Sequence, residues 1–283
     1  QAAGTHAITV GDSTFRDPVT IRTPGGGTIN VTGTLSGIDN ATVTLNTTGA
    51  VQGGGTVSSG TVTIAQAGGI GSLATPLHLN TTFLDAQNTT SGDVVIVNAG
   101  PVTLVNNFGN TAPNGELRLT TTNGTINTGT VPVESSGGRV ALVANDTAGG
   151  DNGRILIGSG GITTGGGELN LYGADTINVG GAVTTGGGFL RIIGGTSTSG
   201  IDSGHAVFSG GAPAPATESV ADDFGANHFA APVTTGAADV VLFLVQDSRE
   251  AVDAEDDLVG GSLVHAAFNV GAGKDADHVA GGG

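Results

Sequence analysis

The chain has 283 residues with a formal net charge of −16, 53 glycines, 11% charged and 4% aromatic residues, and no Cys, Met or Trp. The missing cysteines exclude disulfides and thiolate metal sites, and the acidity argues against nucleic acid, whose phosphates require Lys and Arg, and against anionic membrane surfaces. Glycine without a G-X-Y period excludes collagen, 37% apolar residues are too many for a simple disordered chain, and no apolar run approaches the ~20 residues that cross a bilayer.

The chain opens without an initiator Met or a basic region followed by an apolar one, so a mature or excised segment is expected. Residues 1–24 are expected to form a strand or lead-in coil. From 25 to 210 the sequence is a run of short alternating segments. These include TINVTGTL (28–35), ATVTLN (41–46), GTVTIAQ (60–66), DVVIVN (93–98), PVTLVN (101–106), GELRLT (115–120), GRVALVA (138–144), GRILIG (153–158), GELNLYG (167–173) and GFLRIIG (188–194). Each has period two and is bounded by Gly, Asn or Asp, the pattern of half-buried strands. None shows a capped helical period.

Two of these segments carry a repeat. TTGGG begins at Thr163 and again at Thr184, and at the same offset Leu169 and Leu171 fall on Leu190 and Ile192. GELRLTTTNGTINTGTVPVESSGG (115–138) aligns with GELNLYGADTINVGGAVTTGGG (167–188) with small length differences at turns. Self-similarity over 20–30 residues with strands and no helix predicts a parallel β-helix, an all-β solenoid of roughly 21-residue coils. About nine coils stacked at ~4.8 Å would make a rod about 40 Å long. Leu169 is expected over Leu190, and Leu171 over Ile192, inside. Outside are expected Glu116, Arg118, Glu168, Asn170, Arg191 and the threonines 42, 44, 61 and 63. Gly and Asn supply positive-φ corners. The threonines are not expected to share one register across coils, which weakens a flat ice-binding array.

A break is expected at GGAPAPATES (210–219), with 211–217 a stiff Pro/Ala linker. Beyond it the acidic residues 218–283 are expected to form a β-rich cap or extension. DVVLFLVQD (239–247) and GSLVHAAFNVG (261–271) are read as strands, and SREAVDAEDDLV (248–259) as one or two helical turns.

The stretch 68–104 resembles a recurring element of filamentous haemagglutinin-like proteins, the large secreted adhesins of the two-partner secretion class. The matching residues are Ile70, Gly71, Ser72, Pro76 and Leu77, then Val95, Val97, Asn98, Gly100, Val102 and Leu104. The resemblance implies a right-handed parallel β-helix, secreted or displayed on a bacterial cell surface, that works as a fibre or adhesin. It carries no catalytic residue to this chain.

Chemistry-bearing residues are sparse. Arg139, Asp146, Asp151 and Arg154, with Glu134 nearby, are the densest charged cluster, a candidate glycan-contact face or a turn-rich solvated loop. A lyase or hydrolase would need paired carboxylates or a base beside calcium, and no anchored motif of that kind occurs, so no enzymatic activity is expected. The six histidines are scattered, and His78 is expected to point outward between Leu77 and Leu79. No cofactor is expected. Asp253, Glu255, Asp256 and Asp257 could collect Ca²⁺, although the EF-hand spacing is absent. Seven N-x-T sequons, at Asn30, Asn40, Asn46, Asn80, Asn88, Asn123 and Asn145, are candidate glycosylation sites. The expected role is a structural or adhesive module whose partners are copies of itself and host or matrix glycans. The alternatives are a carbohydrate-active enzyme and an ice- or cation-binding surface.

Overall fold

The structure is a computed structural model that describes residues 6–149 and 152–194, together with the backbone of strands at 206–208, 233–234, 239–244 and 264–269. The chain is all-β, its strands stacked in parallel as a solenoid of about eight turns. The described residues contain no α-helix, only one 3₁₀ turn at Pro24–Gly26. The linker at 211–217, the helical turns expected at 248–259 and most of the acidic extension lie outside the described residues.

Three strand stacks, called faces here, wind around the interior. The first face is continuous from Val94–Asn98 through Leu117–Thr121, Val140–Ala144, Leu169–Gly173 and Leu190–Gly194, each strand in parallel register with the next. In earlier coils it is split in two. Ile8–Val10 pairs with Ile29–Val31 and then Val51–Gln52, while Ser13–Phe15 pairs with Thr34–Gly37 and then the start of Thr56–Ala67. The second face stacks Val19–Arg22, Thr42–Asn46, the later parts of Thr56–Ala67 and Leu77–Asn88, then Val102–Asn110, Ile126–Asn127, Ile155–Ile157 and Ile177–Val179. The third runs from the end of Val102–Asn110 to Val133–Ser135, Ile162–Thr163 and Val183–Thr184. Asp239–Leu244 pairs in parallel with Leu190–Gly194 and carries Val264–Asn269 antiparallel on its other side.

Alternation along each strand sends every second side chain inward, and stacking places like over like. Leu169 lies over Leu190 and Leu171 over Ile192, as the repeat predicts. The first of these columns continues as Ile29, Val51, Ile70, Val94, Leu117, Val140, Leu169 and Leu190, all buried. No coil can bury such a stripe alone, so burial couples each coil to its neighbours. Where Phe108 is fully buried, its partner in the coil before is Ala86, so a large residue sits against a small one and the interior stays filled.

Coil length is not constant. From Ile8 to Ile29 the spacing is 21 residues, from Val51 to Ile70 it is 19, and from Val140 to Leu169 it is 29. The columns stay continuous because the length differences fall between strands: Ile155 begins 11 positions after Ala144, whereas Ile177 begins 4 after Gly173.

One corner explains the TTGGG repeat. Its first column is buried and polar but for one alanine: Thr23, Thr47, Ala67, Asn88, Asn110, Ser135, Thr164 and Thr185. The polar side chains from Thr23 to Thr164 bond carbonyls that a tight corner would otherwise orphan. The Thr164 hydroxyl lies 2.5 Å from the Gly167 carbonyl and 3.0 Å from that of Thr185. Ser135 donates to Gly138 at 3.0 Å. Asn88 and Asn110 span two layers: Asn88 donates to the Asn110 side-chain oxygen at 2.9 Å, and Asn110 donates to the Glu116 carbonyl at 2.9 Å. The first glycines of the motif take positive φ, with Gly165 at 62° and Gly186 at 63°. The last does not, and its role is close approach. A Cβ on Gly138 would lie 1.8 Å from the Gly115 oxygen, on Gly167 2.0 Å from that of Gly138, and on Gly188 1.9 Å from that of Gly167.

Two outward positions are less open than alternation suggests, and the threonine register expectation is corrected. Glu116 and Asn170 point outward but are 9% and 4% exposed, because Arg139 covers the first and Tyr172 and Arg191 stand beside the second. The threonines do share a register within one block, Thr20 with Thr44 and Thr63, and Thr42 with Thr61. That block ends where Phe83 and Asp85 take the next positions.

Candidate functional site

The outer surface of the first face carries the one concentration of arginine and aromatic side chains among the described residues. Register places Arg118, Ala141, Asn170 and Arg191 in one outward column, and Thr120, Val143, Tyr172 and Ile193 in the next. Just ahead of the strands, Glu116, Arg139 and Glu168 form a third row. Their backbones are tied by Leu117 N–H to Arg139 O at 2.8 Å and Val140 N–H to Glu168 O at 2.7 Å.

Ala141 stands between Arg118 and Asn170 and has only a methyl group where its neighbours reach outward. The result is a groove of about 420 Å³ lined by Arg118, Arg139, Ala141, Val143, Asn145, Asn170 and Tyr172. Ala141 and Val143 make its floor apolar, and the amides of Asn145 and Asn170 and the two guanidinium groups make its walls polar.

The walls are held in place. Arg139 donates to Glu116 Oε1 at 2.7 Å. This hydrogen bond raises the Arg139 pKa above its ordinary range. Partial burial opposes the shift, and the charges of Glu116 and Glu168 reinforce it. The Tyr172 hydroxyl lies 3.3 Å from Asn170 Oδ1, and the Arg191 guanidinium sits over the ring, 5.5 Å from its centroid. Arg191 does not line the groove, so it braces the ring from outside.

Of the residues singled out in the sequence, the groove takes Arg139. Asp146 follows the lining residue Asn145 in the corner loop, where the 145–146 backbone meets that of Asn123 and Gly124. Arg154 enters the second-face strand Ile155–Ile157 and does not line the groove. Asp151 and the acidic residues Asp253, Glu255, Asp256 and Asp257 lie outside the described residues. Glu134 is exposed on the third face. His78 is exposed between buried Leu77 and Leu79, in the orientation expected. Among the described residues no group of three or more His, Asp or Glu side chains is placed to hold a metal ion, and no helix is long and apolar enough to cross a membrane.

The sequons separate by exposure. Asn40 and Asn80 are exposed, and Asn30, Asn46, Asn123 and Asn145 are partly buried. Asn88 is wholly buried, its amide nitrogen donating to the carbonyls of Ser91 and Gly92 and to Asn110, so the folded chain does not offer it for glycosylation. Arg118, Asn145 and Tyr172 were missed as site residues. Tyr172 is the single tyrosine of the chain, and its place beside Asn170 in a repeated strand was the signal that could have found it.

Comparison of the chain with family models, with curated proteins and with solved structures gives no match.

Proposed function

We propose that the chain is a non-enzymatic, secreted structural and adhesive module, part of a cell-surface fibre or extracellular filament, that contacts saccharides through the first-face groove. The observation that carries this reading is the composition of the groove: an apolar floor, one aromatic ring, two amides and two guanidinium groups on a continuous sheet. Sugars present C–H faces and hydroxyl edges, which these groups complement. No carboxylate or imidazole lines the groove, whereas glycoside hydrolysis usually employs two carboxylates across the scissile bond. Layered stacking supports the fibre part of the reading, since a rod whose layers contact only their neighbours extends by adding layers.

The test is binding of the purified chain to an immobilised glycan panel, with Tyr172→Ala as the paired variant and circular dichroism as the folding control. Binding to one saccharide class that falls with the folded variant supports the reading. Absence of binding to every saccharide overturns the adhesive role of this groove. Electron microscopy across concentrations tests filament formation, and short rods that never associate would remove self-assembly.

A further inference from the structure

The charge arrangement around the groove narrows its ligand. We infer that the groove takes a carboxylated saccharide, a uronate-type chain of sparse charge, and that Arg118 receives the carboxylate; this rests on the saccharide-binding reading above.

Two arginines line the groove, and they are not equivalent. Arg139 is committed to Glu116 at 2.7 Å and stands in a row with Glu168. The Arg118 guanidinium makes no hydrogen bond, ion pair or ring contact with any described residue. It therefore presents a whole guanidinium fork to the groove, and that fork matches a carboxylate bidentately.

The surroundings fix how much negative charge the site tolerates. Glu116, Glu168 and Asp93 lie along the same edge, with Asp93 accepting from the Glu116 backbone N–H at 2.9 Å. The whole chain carries −16. A densely sulfated chain would bring several charges within a Debye length of these carboxylates, with one uncommitted cation to meet them. A neutral sugar would leave that cation unused. One carboxylate per bound segment fits the single free fork.

The remaining lining suits a sugar ring better than an acidic peptide. The floor is the face of a sheet whose strands are paired on both sides, so no edge is open for a peptide backbone to pair with. The Tyr172 ring is fixed by Asn170 and Arg191 before any ligand arrives, which lowers the ordering cost of binding.

The experiment is calorimetric titration of the full chain with four probes: an oligosaccharide of glucuronate alternating with a neutral sugar, its methyl-esterified form, a heparin-derived oligosaccharide and a short poly-glutamate. Each is repeated with Arg118→Gln and Arg118→Lys. The alternating glucuronate oligosaccharide is expected to bind, with a loss of about tenfold or more on esterification or in the Gln variant. The Lys variant is expected to keep part of the affinity, since it retains charge without the fork. Arg118 points outward, so both variants should unfold as the parent does. A Gln variant that loses stability leaves the esterification comparison on the parent chain as the deciding readout. Equal affinity for the acid and ester forms, or tighter heparin, overturns the carboxylate inference while saccharide binding stands. Poly-glutamate binding as tightly as the saccharide overturns the saccharide class. Failure of every saccharide overturns both readings.

Discussion

The glycine column at the third-face corner gives a sharp test of what sets the coil spacing. In Gly138→Ala the new methyl would start 1.8 Å from the Gly115 oxygen, and real Cβ contacts essentially never fall below 3.0 Å, so the layers must part by about 1.2 Å. The adjacent ladder bonds cannot stretch that far. Leu117 N–H to Arg139 O at 2.8 Å, Asn114 N–H to Ser136 O at 3.2 Å and Ser136 N–H to Asn110 O at 3.1 Å would all pass out of range. At about 1 kcal/mol each, the loss is about 3 kcal/mol. Two controls isolate the cause. Gly54 has open space and no positive φ, so Gly54→Ala should change stability by less than about 1 kcal/mol. Gly129 has open space but φ of 55°, so its Ala variant should cost about 1–2 kcal/mol for backbone conformation alone. Urea unfolding followed by circular dichroism gives the ranking. Hydrogen exchange at 117–121 and 140–144 shows whether the damage is local, since solenoids open in parts. Gly138→Ala as stable as Gly54→Ala would refute close approach as the reason for this glycine.

Other outcomes follow from the same structure. Asn110→Ala should cost about 1–2 kcal/mol, because it strands the Ala112 N–H and removes one partner each from the Asn88 amide and the Glu116 carbonyl; denaturant unfolding measures it, and a neutral result would mean that water replaces the side chain. Phe108→Ala should cost about 3–5 kcal/mol, since Ala86 opposite cannot fill the space; a smaller thermal shift would show that the coils collapse inward. Glu116→Gln should cost under about 1 kcal/mol, the Arg139 side chain being 41% exposed and the pair screened accordingly. The raised Arg139 pKa makes its contribution complete below the ordinary arginine range and lost only above its folded value, so stability from this group should be flat between about pH 5 and 10. Peptide mapping of folded chain from a glycosylating host should find no glycan on Asn88 and should find Asn40 and Asn80 the accessible sequons.

The interior columns were legible because period two and a repeated offset survive in the sequence: Leu169 and Leu190 announce each other. The corner was half legible. Gly165 and Gly186 are turn glycines, as composition suggests, but Gly167 and Gly188 answer to the coil beneath, and nothing local marks a backbone approaching from another layer. Alternation gave the side of Glu116 and Asn170 without their cover, which comes from Arg139, Tyr172 and Arg191. The groove was hardest to see. Arg118, Ala141, Asn170 and Arg191 align only through steps of 23, 29 and 21 residues, so a fixed 21-residue stagger scatters them.

The 29-residue coil bears on how such a chain changes over generations. Its surplus falls between the strands Val140–Ala144 and Ile155–Ile157 while Val140 still meets Leu169 in register, so an insertion between strands alters the surface without disturbing the stack. The gene can then vary in two separate ways: by lengthening a loop, which reshapes the wall beside Asn145, or by duplicating or deleting a whole coil, which changes rod length in steps of about 4.8 Å. Groove shape and rod length are thereby heritable as independent traits.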